Sequence, residues 1–277
     1  MLKLAVRTTL LVVSLCTWLA PAYAAEPAGP GSYKAWQLHR DEVLKTPGVV
    51  RYYTFQQASD APLANMAEAK APLTLRAVKG KSGDLNWVEG RWPEKAAVRL
   101  DQDYLAAEPL PITKAFTVAA WLSTHGMGAI HGDSVATGGT LFSVGSGFWD
   151  GCRVTLRYPD QMLGFEIGRP KPSHSIGIGG GPLVDDAWHH LVASWDGKTM
   201  RLHVDGRLIA SGPFDGVYTP SPSGAAFRIG FAGFGWGSAV LDVDEVTVYN
   251  RALSADEIVR LAHFHAPLDQ AMAARFG

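Results

Sequence analysis

The stretch Trp188–Ser211, WHHLVASWDGKTMRLHVDGRLIAS, decides the fold. HHLVASW, TMRLHV and RLIAS are short apolar runs separated by Asp196-Gly197 and Asp205-Gly206. Asp-Gly between two such runs is a strong hairpin signal, because a type I′ turn needs positive φ at both central residues. The stretch therefore predicts a three-stranded antiparallel meander. A two-residue turn at Asp205-Gly206 pairs His203 with Leu208 on one face and Leu202 with Ile209 on the other. His189 and His190 are consecutive in a strand, so they point to opposite faces and cannot share a metal without a bulge. The pair reads as structural.

Outward from this meander the signals are nearly all β. VVRYYTF, AAVRL, FTVAAWL, GTLFSVG, RVTLRY, LGFEIG, AFRIGF and DEVTVY are short runs punctuated by Gly, Pro, Asp and Asn. Many short strands with turn signals predict a sandwich or barrel. No helical pattern alternates with them, which excludes Rossmann and TIM architectures. In FTVAAWL both parities are apolar, so this strand is central, covered on both sides or lining a groove. Tyr33–Leu44 reads as a short helix broken by Pro47-Gly48. Ser254-Ala255-Asp256-Glu257 is a capping box for a second, with Ile258, Leu261 and Ala262 on its apolar side. The run SIGIGGG (Ser175–Gly181) does not sit between a strand and a helix. It is therefore not a phosphate loop, and reads as a loop turning between strands.

The 277 residues carry a formal net charge of -1. That excludes a non-specific nucleic-acid binder, which needs a basic surface. Residues 1–24 combine Lys3 and Arg7, an apolar Leu10–Leu19 and Ala22-Tyr23-Ala24, the pattern of a secretory signal cut after Ala24. The expected location is secreted or periplasmic, with no membrane insertion after cleavage. Residues 25–48 form a leader that includes the first helix. Cleavage leaves Cys152 as the one cysteine, so no internal disulfide forms and the thiol reads as buried and inert.

The combined motifs carry a family resemblance. AWHHLVASWDGKTMRLHVDGRLIASG, then FRIG and LDVDEVTVYNRALSADEIVRL, resembles the bacterial laminin G-like (LamG-like) jellyroll domains of the concanavalin A-like lectin/glucanase superfamily. VVRYYTF, VEGRWPEKAAVRLD and FTVAAW are similar to that family's earlier strands. The resemblance implies an all-β jellyroll sandwich of two antiparallel sheets over residues 49–265, with a short C-terminal helix and a tail at 266–277. It implies a concave sheet on or beside which sugars sit. The same fold hosts lectins, adhesion modules, hydrolases and lyases, so function rests on the site.

Catalytic patterns are weak. Retaining glucanases need two close carboxylates. Asp242 and Asp244 share a face of LDVDEV, but the glutamates of the Glu-x-Asp-x-x-Glu pattern are missing. A lyase would group His174 or Tyr158 with Arg153 or Arg157, at no recognisable spacing. No catalytic residue is assigned. The resemblance allows a structural calcium, for which Asp242 and Asp244, with Asp101 and Asp103, are the candidate ligands, although no compact loop gathers them in sequence. His125, His131 and Asp133 fall in one polar loop. Sugar recognition is the stronger reading. GSGFWDGCR and GFGWGS set Trp149 and Trp236 among glycines, and loop aromatics on a rigid sandwich suit recognition. Asp150, Arg153, Glu166 and His174 supply candidate polar contacts. The expectation is an exported, non-catalytic carbohydrate-binding module. The alternatives are a glycan-active enzyme and a protein-binding adhesion module.

Overall fold

The computed structural model describes residues 33–263 apart from 93, 112–113, 128–137, 146–148, 158–159, 161, 172–175, 215, 217, 219–225 and 233–236. Helix α1 (Tyr33–Lys45) is followed by β1 (Val49–Tyr53), β2 (Thr74–Ala77), β3 (Asn86–Glu89), β4 (Ala96–Leu100) and β5 (Asp103–Ala107). The long β6 (Phe116–Met127) leads to β7 (Gly138–Val144), β8 (Cys152–Arg157), β9 (Met162–Ile167) and β10 (Ile176–Pro182). Then come β11 (His189–Trp195), β12 (Thr199–Val204), β13 (Arg207–Pro213), β14 (Phe227–Ile229), β15 (Gly237–Tyr249) and α2 (Ala255–His263).

These strands make two layers. In the first sheet the order is β13-β12-β11-β6-β15, and β15 continues to β4 and β3 along one half and to β1 along the other. In the second the order is β10-β9-β8-β7-β14-β5-β2. The two face each other across one core that includes Phe116, Leu122, Leu141, Phe165, Leu202 and Phe227. Each large apolar side chain buried there contributes about 1.5–3 kcal/mol.

The meander forms as β11, β12 and β13. Asp205 and Gly206 have φ of 50° and 77°, as a type I′ turn requires. His203 faces Leu208, but Leu202 faces Ala210 and not Ile209. A bulge makes Ile209 the extra residue, and its side chain lies against Gly180 of β10, where a Cβ would come within 2.5 Å of Ile209 Cδ1. The glycine-rich run is likewise a strand and not a loop. It forms edge strand β10, paired to β9, with Ile176 and Ile178 against the core. Its bare alternate positions leave room for the neighbouring strands' side chains.

β6 lies between β15 and β11 and is covered on both sides. Phe116, Val118, Ala120 and Leu122 enter the inter-sheet core. On the outer face Ala119 packs with Ile258 of α2, and Trp121 packs with Trp36 of α1 and with Trp92. The capping box of α2 is formed: the Glu257 N–H donates to Ser254 Oγ at 3.3 Å, and the Ser254 N–H donates back to Glu257 Oε2 at 2.8 Å. Among the described residues no helix is long and apolar enough to cross a membrane.

Candidate functional site

The outer face of the second sheet holds the polar candidates. Val154, Phe165 and Ile167 enter the core, so the alternate positions Arg153 and Glu166 point outward. They are direct cross-strand partners, and Nε and Nη2 of Arg153 both donate to Glu166 Oε2, at 3.1 and 2.5 Å. Arg153 is only 3% exposed, and burial lowers its pKa against the pull of Glu166. Such a charge-assisted fork fixes the Glu166 carboxylate in place.

The pair belongs to a row that runs across the whole sheet. Register places Thr74 beside Ala106, Ala106 beside Arg228, Arg228 beside Ser143, and Ser143 beside Arg153. Glu166 then faces Gly177 on β10. Small residues thus alternate with arginines along the row, in which Ser143 and Arg153 are buried and Arg228 and Glu166 half-buried. Ser143 donates from Oγ to the Phe231 carbonyl at 2.8 Å, fixing the segment after β14 against it. Farther along β8, Arg157 is exposed and its stem crosses the bare positions of β9 and β10. A Cβ at Gly164 would meet its Cδ at 2.9 Å, and one at Gly179 its Nη1 at 3.4 Å.

Trp149 and Asp150 stand at the end of this sheet, just before β8. Trp149 is 41% exposed, and Lys171 Nζ lies 4.4 Å from its ring centroid. Asp150 is half-buried, with its backbone held close to Gly168 after β9. Arg153 and Glu166 are thus brought together on the outer face, while Trp149 and Asp150 stand at the end of the same sheet. His174 and Trp236 lie outside the described residues, as do Tyr158, His131 and Asp133. Sequence reasoning missed Arg228 and Ser143. Alternation in FRI and FSV marks both as outward-facing, but only strand order sets them beside Arg153.

Asp242 and Asp244 sit on the other sheet, on the outer face of β15. Arg99 grips Asp242 through two bonds of 2.6 and 2.8 Å, and His125 Nε2 lies 3.1 Å from its Oδ2. Asp244 is fully buried and pairs with Lys95. A metal cation between them would meet an arginine and a lysine already in place, so this pair does not fit a calcium cage of about six to eight oxygens. Among the described residues no group of three or more His, Cys, Asp or Glu side chains gathers as a metal site.

The same face carries a charged cluster beneath α1. A bulge in β15 at Glu245, whose φ is 52°, sets Asp244 and Glu245 against the same Lys95. Trp36 Nε1 donates to Glu245 Oε1 at 2.8 Å, and the Tyr52 hydroxyl donates to Oε2. The opening histidines divide as alternation requires. His190 is buried against Trp121, and burial lowers its pKa to about 3. His189 bridges Asp205 at 2.6 Å and Asp185 at 3.1 Å, and the bond to Asp205 leads in raising its pKa. Cys152 is on neither outer face. It lies in the core, and burial pushes its thiol up to about 12.

The chain belongs to the concanavalin A-like lectin/glucanases superfamily, whose laminin G family model matches residues 100–259. No curated protein matches it. Solved structures share the fold. One is domain 4 of a GH43 extracellular arabinanase from Geobacillus stearothermophilus, in complex with arabinotriose. It is 19% identical at a TM-score of 0.58, over 78% of this chain and 98% of that one. Another is the binding domain of Paraclostridial Mosquitocidal Protein 1, 14% identical at a TM-score of 0.59, over 79% of this chain and 52% of that one. The binding domain of Botulinum Neurotoxin DC in complex with SialylT is 9% identical at 0.54, over 78% and 51%. The chain spans about half the length of the two toxin domains.

Proposed function

We propose that this chain is an exported, non-catalytic carbohydrate-binding module whose glycan lies on the outer face of the second sheet. The observation that carries the reading is the continuous outward row Arg228–Ser143–Arg153–Glu166. Arg228 and Glu166 are its partly exposed members, and the buried Ser143 and Arg153 hold the segment after β14 and Glu166 in place. The exposed Trp149 just before β8 is a stacking surface at the end of the same sheet. Two proteins of the same fold support it, the arabinanase domain in complex with arabinotriose and the neurotoxin domain in complex with SialylT. The signal-like residues 1–24 support export. Glu166 is the one carboxylate among the described outward strand positions of this face, and it is already paired, which favours binding over two-carboxylate hydrolysis.

The test is a polysaccharide panel offered to the chain from residue 25 onward. It scores retention together with released reducing or unsaturated ends, with and without calcium. Retention without products, weakened by Trp149→Ala, is expected. Released products refute the non-catalytic reading and return attention to Arg153, Glu166 and His174. Retention of no polysaccharide refutes glycan binding and leaves a protein partner. Retention that needs calcium adds a metal site away from Asp242 and Asp244.

A further inference from the structure

We propose that the glycan recognised by this face is anionic, a polysaccharide bearing carboxylate or sulfate groups, and that Arg157 and Arg228 read those groups. The inference rests on the glycan-binding reading above and adds the chemical class of the ligand. The chain as a whole is almost neutral, with a formal charge of -1, so a surplus of cations on one face is a local arrangement. Outward strand positions of the second sheet carry Arg76, Arg153, Arg157 and Arg228 against the single carboxylate of Glu166. Arg153 and Glu166 neutralise each other. Among the described residues no carboxylate pairs with Arg76, Arg157 or Arg228. Arg228 Nη1 donates, among those residues, only to the Ala232 carbonyl, at 3.4 Å.

The placement of these cations suits a polymer lying across the strands. Arg228 on β14 and Arg153 on β8 are separated by β7 alone, so their backbones stand about 10 Å apart. Arg157 is four residues along β8 from Arg153, about 13 Å. Arg157 rests over Gly164 and Gly179, and any side chain at Gly164 would displace it. Arg157 thus lies across bare backbone with its guanidinium in solvent, and such a fork of donors binds a carboxylate or sulfate bidentately. Lys171 over Trp149 adds a further cation beside this exposed aromatic. A neutral sugar needs hydroxyl-matched donors and acceptors. It gives no reason to keep Arg76, Arg157 and Arg228 on outward strand positions with no carboxylate partner among the described residues.

The experiment measures affinity of the chain from residue 25 onward for matched polymers that differ in charge. They are polygalacturonate and its methyl ester, and dextran sulfate and dextran. The charged member of at least one pair is expected to bind roughly tenfold or more tightly than its neutral partner, and to weaken in about 0.5 M salt. Preference within the first pair identifies carboxylate, and within the second sulfate. Arg157→Gln and Arg228→Gln are each expected to weaken charged-polymer binding roughly five- to tenfold, with Arg228→Lys retaining part of it. Arg207→Gln, an exposed cation on β13 of the other sheet, is the control and leaves affinity unchanged. Circular dichroism and melting confirm that each variant folds. Equal binding of charged and neutral members overturns this inference and leaves glycan binding standing. So does an equal loss from Arg207→Gln, which would mean diffuse attraction. Retention of none of the four, while arabinan or another neutral glycan is retained, also overturns it. Failure across every polysaccharide sinks the glycan-binding reading itself.

Discussion

Replacing Lys95 with methionine is the sharpest test of how the first sheet holds its N-terminal helix. The Lys95 side chain is fully buried, and Nζ pairs with Asp244 and, at 3.1 Å, with Glu245. Without it two buried carboxylates share a pocket with no ammonium. Asp244 keeps the Glu245 N–H at 2.9 Å on Oδ1 and no described partner on Oδ2. Its pKa is already raised, first by burial. Removing one partner of a buried ion pair costs about 3–5 kcal/mol, because a charge is left uncompensated. That is a large part of a typical total stability of about 5–15 kcal/mol. Adding Asp244→Asn removes one of the stranded carboxylates. The double variant is expected to recover at least about 2 kcal/mol relative to Lys95→Met alone. Urea denaturation followed by tryptophan fluorescence measures both, since Trp36, Trp92 and Trp121 pack together at this cluster. A cost below about 1 kcal/mol for Lys95→Met, or simple additivity with Asp244→Asn, refutes the reasoning.

Four further outcomes follow from the same geometry. His39 and His190 are buried and lowered to about 3, whereas an unfolded histidine titrates near 6.5. The unfolded chain therefore binds more protons between those values, and stability is complete above about 6.5 and falls as the pH drops towards 3. Each histidine contributes at most about 1.4 kcal/mol per pH unit there, and the raised Asp244 partly opposes them. Urea midpoints at pH 7.5 and 5 should differ, and His190→Leu should remove about half of the difference. Ser254→Ala should cost about 1 kcal/mol in thermal or urea melts by uncapping α2. Gly206→Ala should cost about 1 kcal/mol or more, since φ there is 77° and the new Cβ would stand 3.3 Å from His263 Nε2. Cys152 should resist thiol reagents until the chain is denatured, because its thiol is buried and pushed up to about 12.

The sequence alone determined the local and periodic features. Asp205-Gly206 imposed a type I′ turn because only such residues tolerate two positive φ values in succession. Ser254 and Glu257 announced α2 because their side chains satisfy each other's backbone N–H groups. Apolar residues on both parities of FTVAAWL announced a strand covered on both faces, since water penalises either one. The motif order from Val49 onward pointed to the superfamily. What only the tertiary structure decided concerns partners distant along the chain. A bulge turned Glu245 to the side of Asp244, against strict alternation, and joined both to Lys95 and Trp36. Another displaced Ile209 from Leu202. Glycines that read as a loop paired as β10, because a strand's hydrogen bonds need no side chain and its neighbours' side chains fill the space above. Arg228, Ser143, Arg153 and Glu166 lie on four strands separated by up to 85 residues, and register alone made them one row. Side-chain alternation is written in each strand, but strand order arises when two sheets bury a common core, and the candidate site is a product of that order.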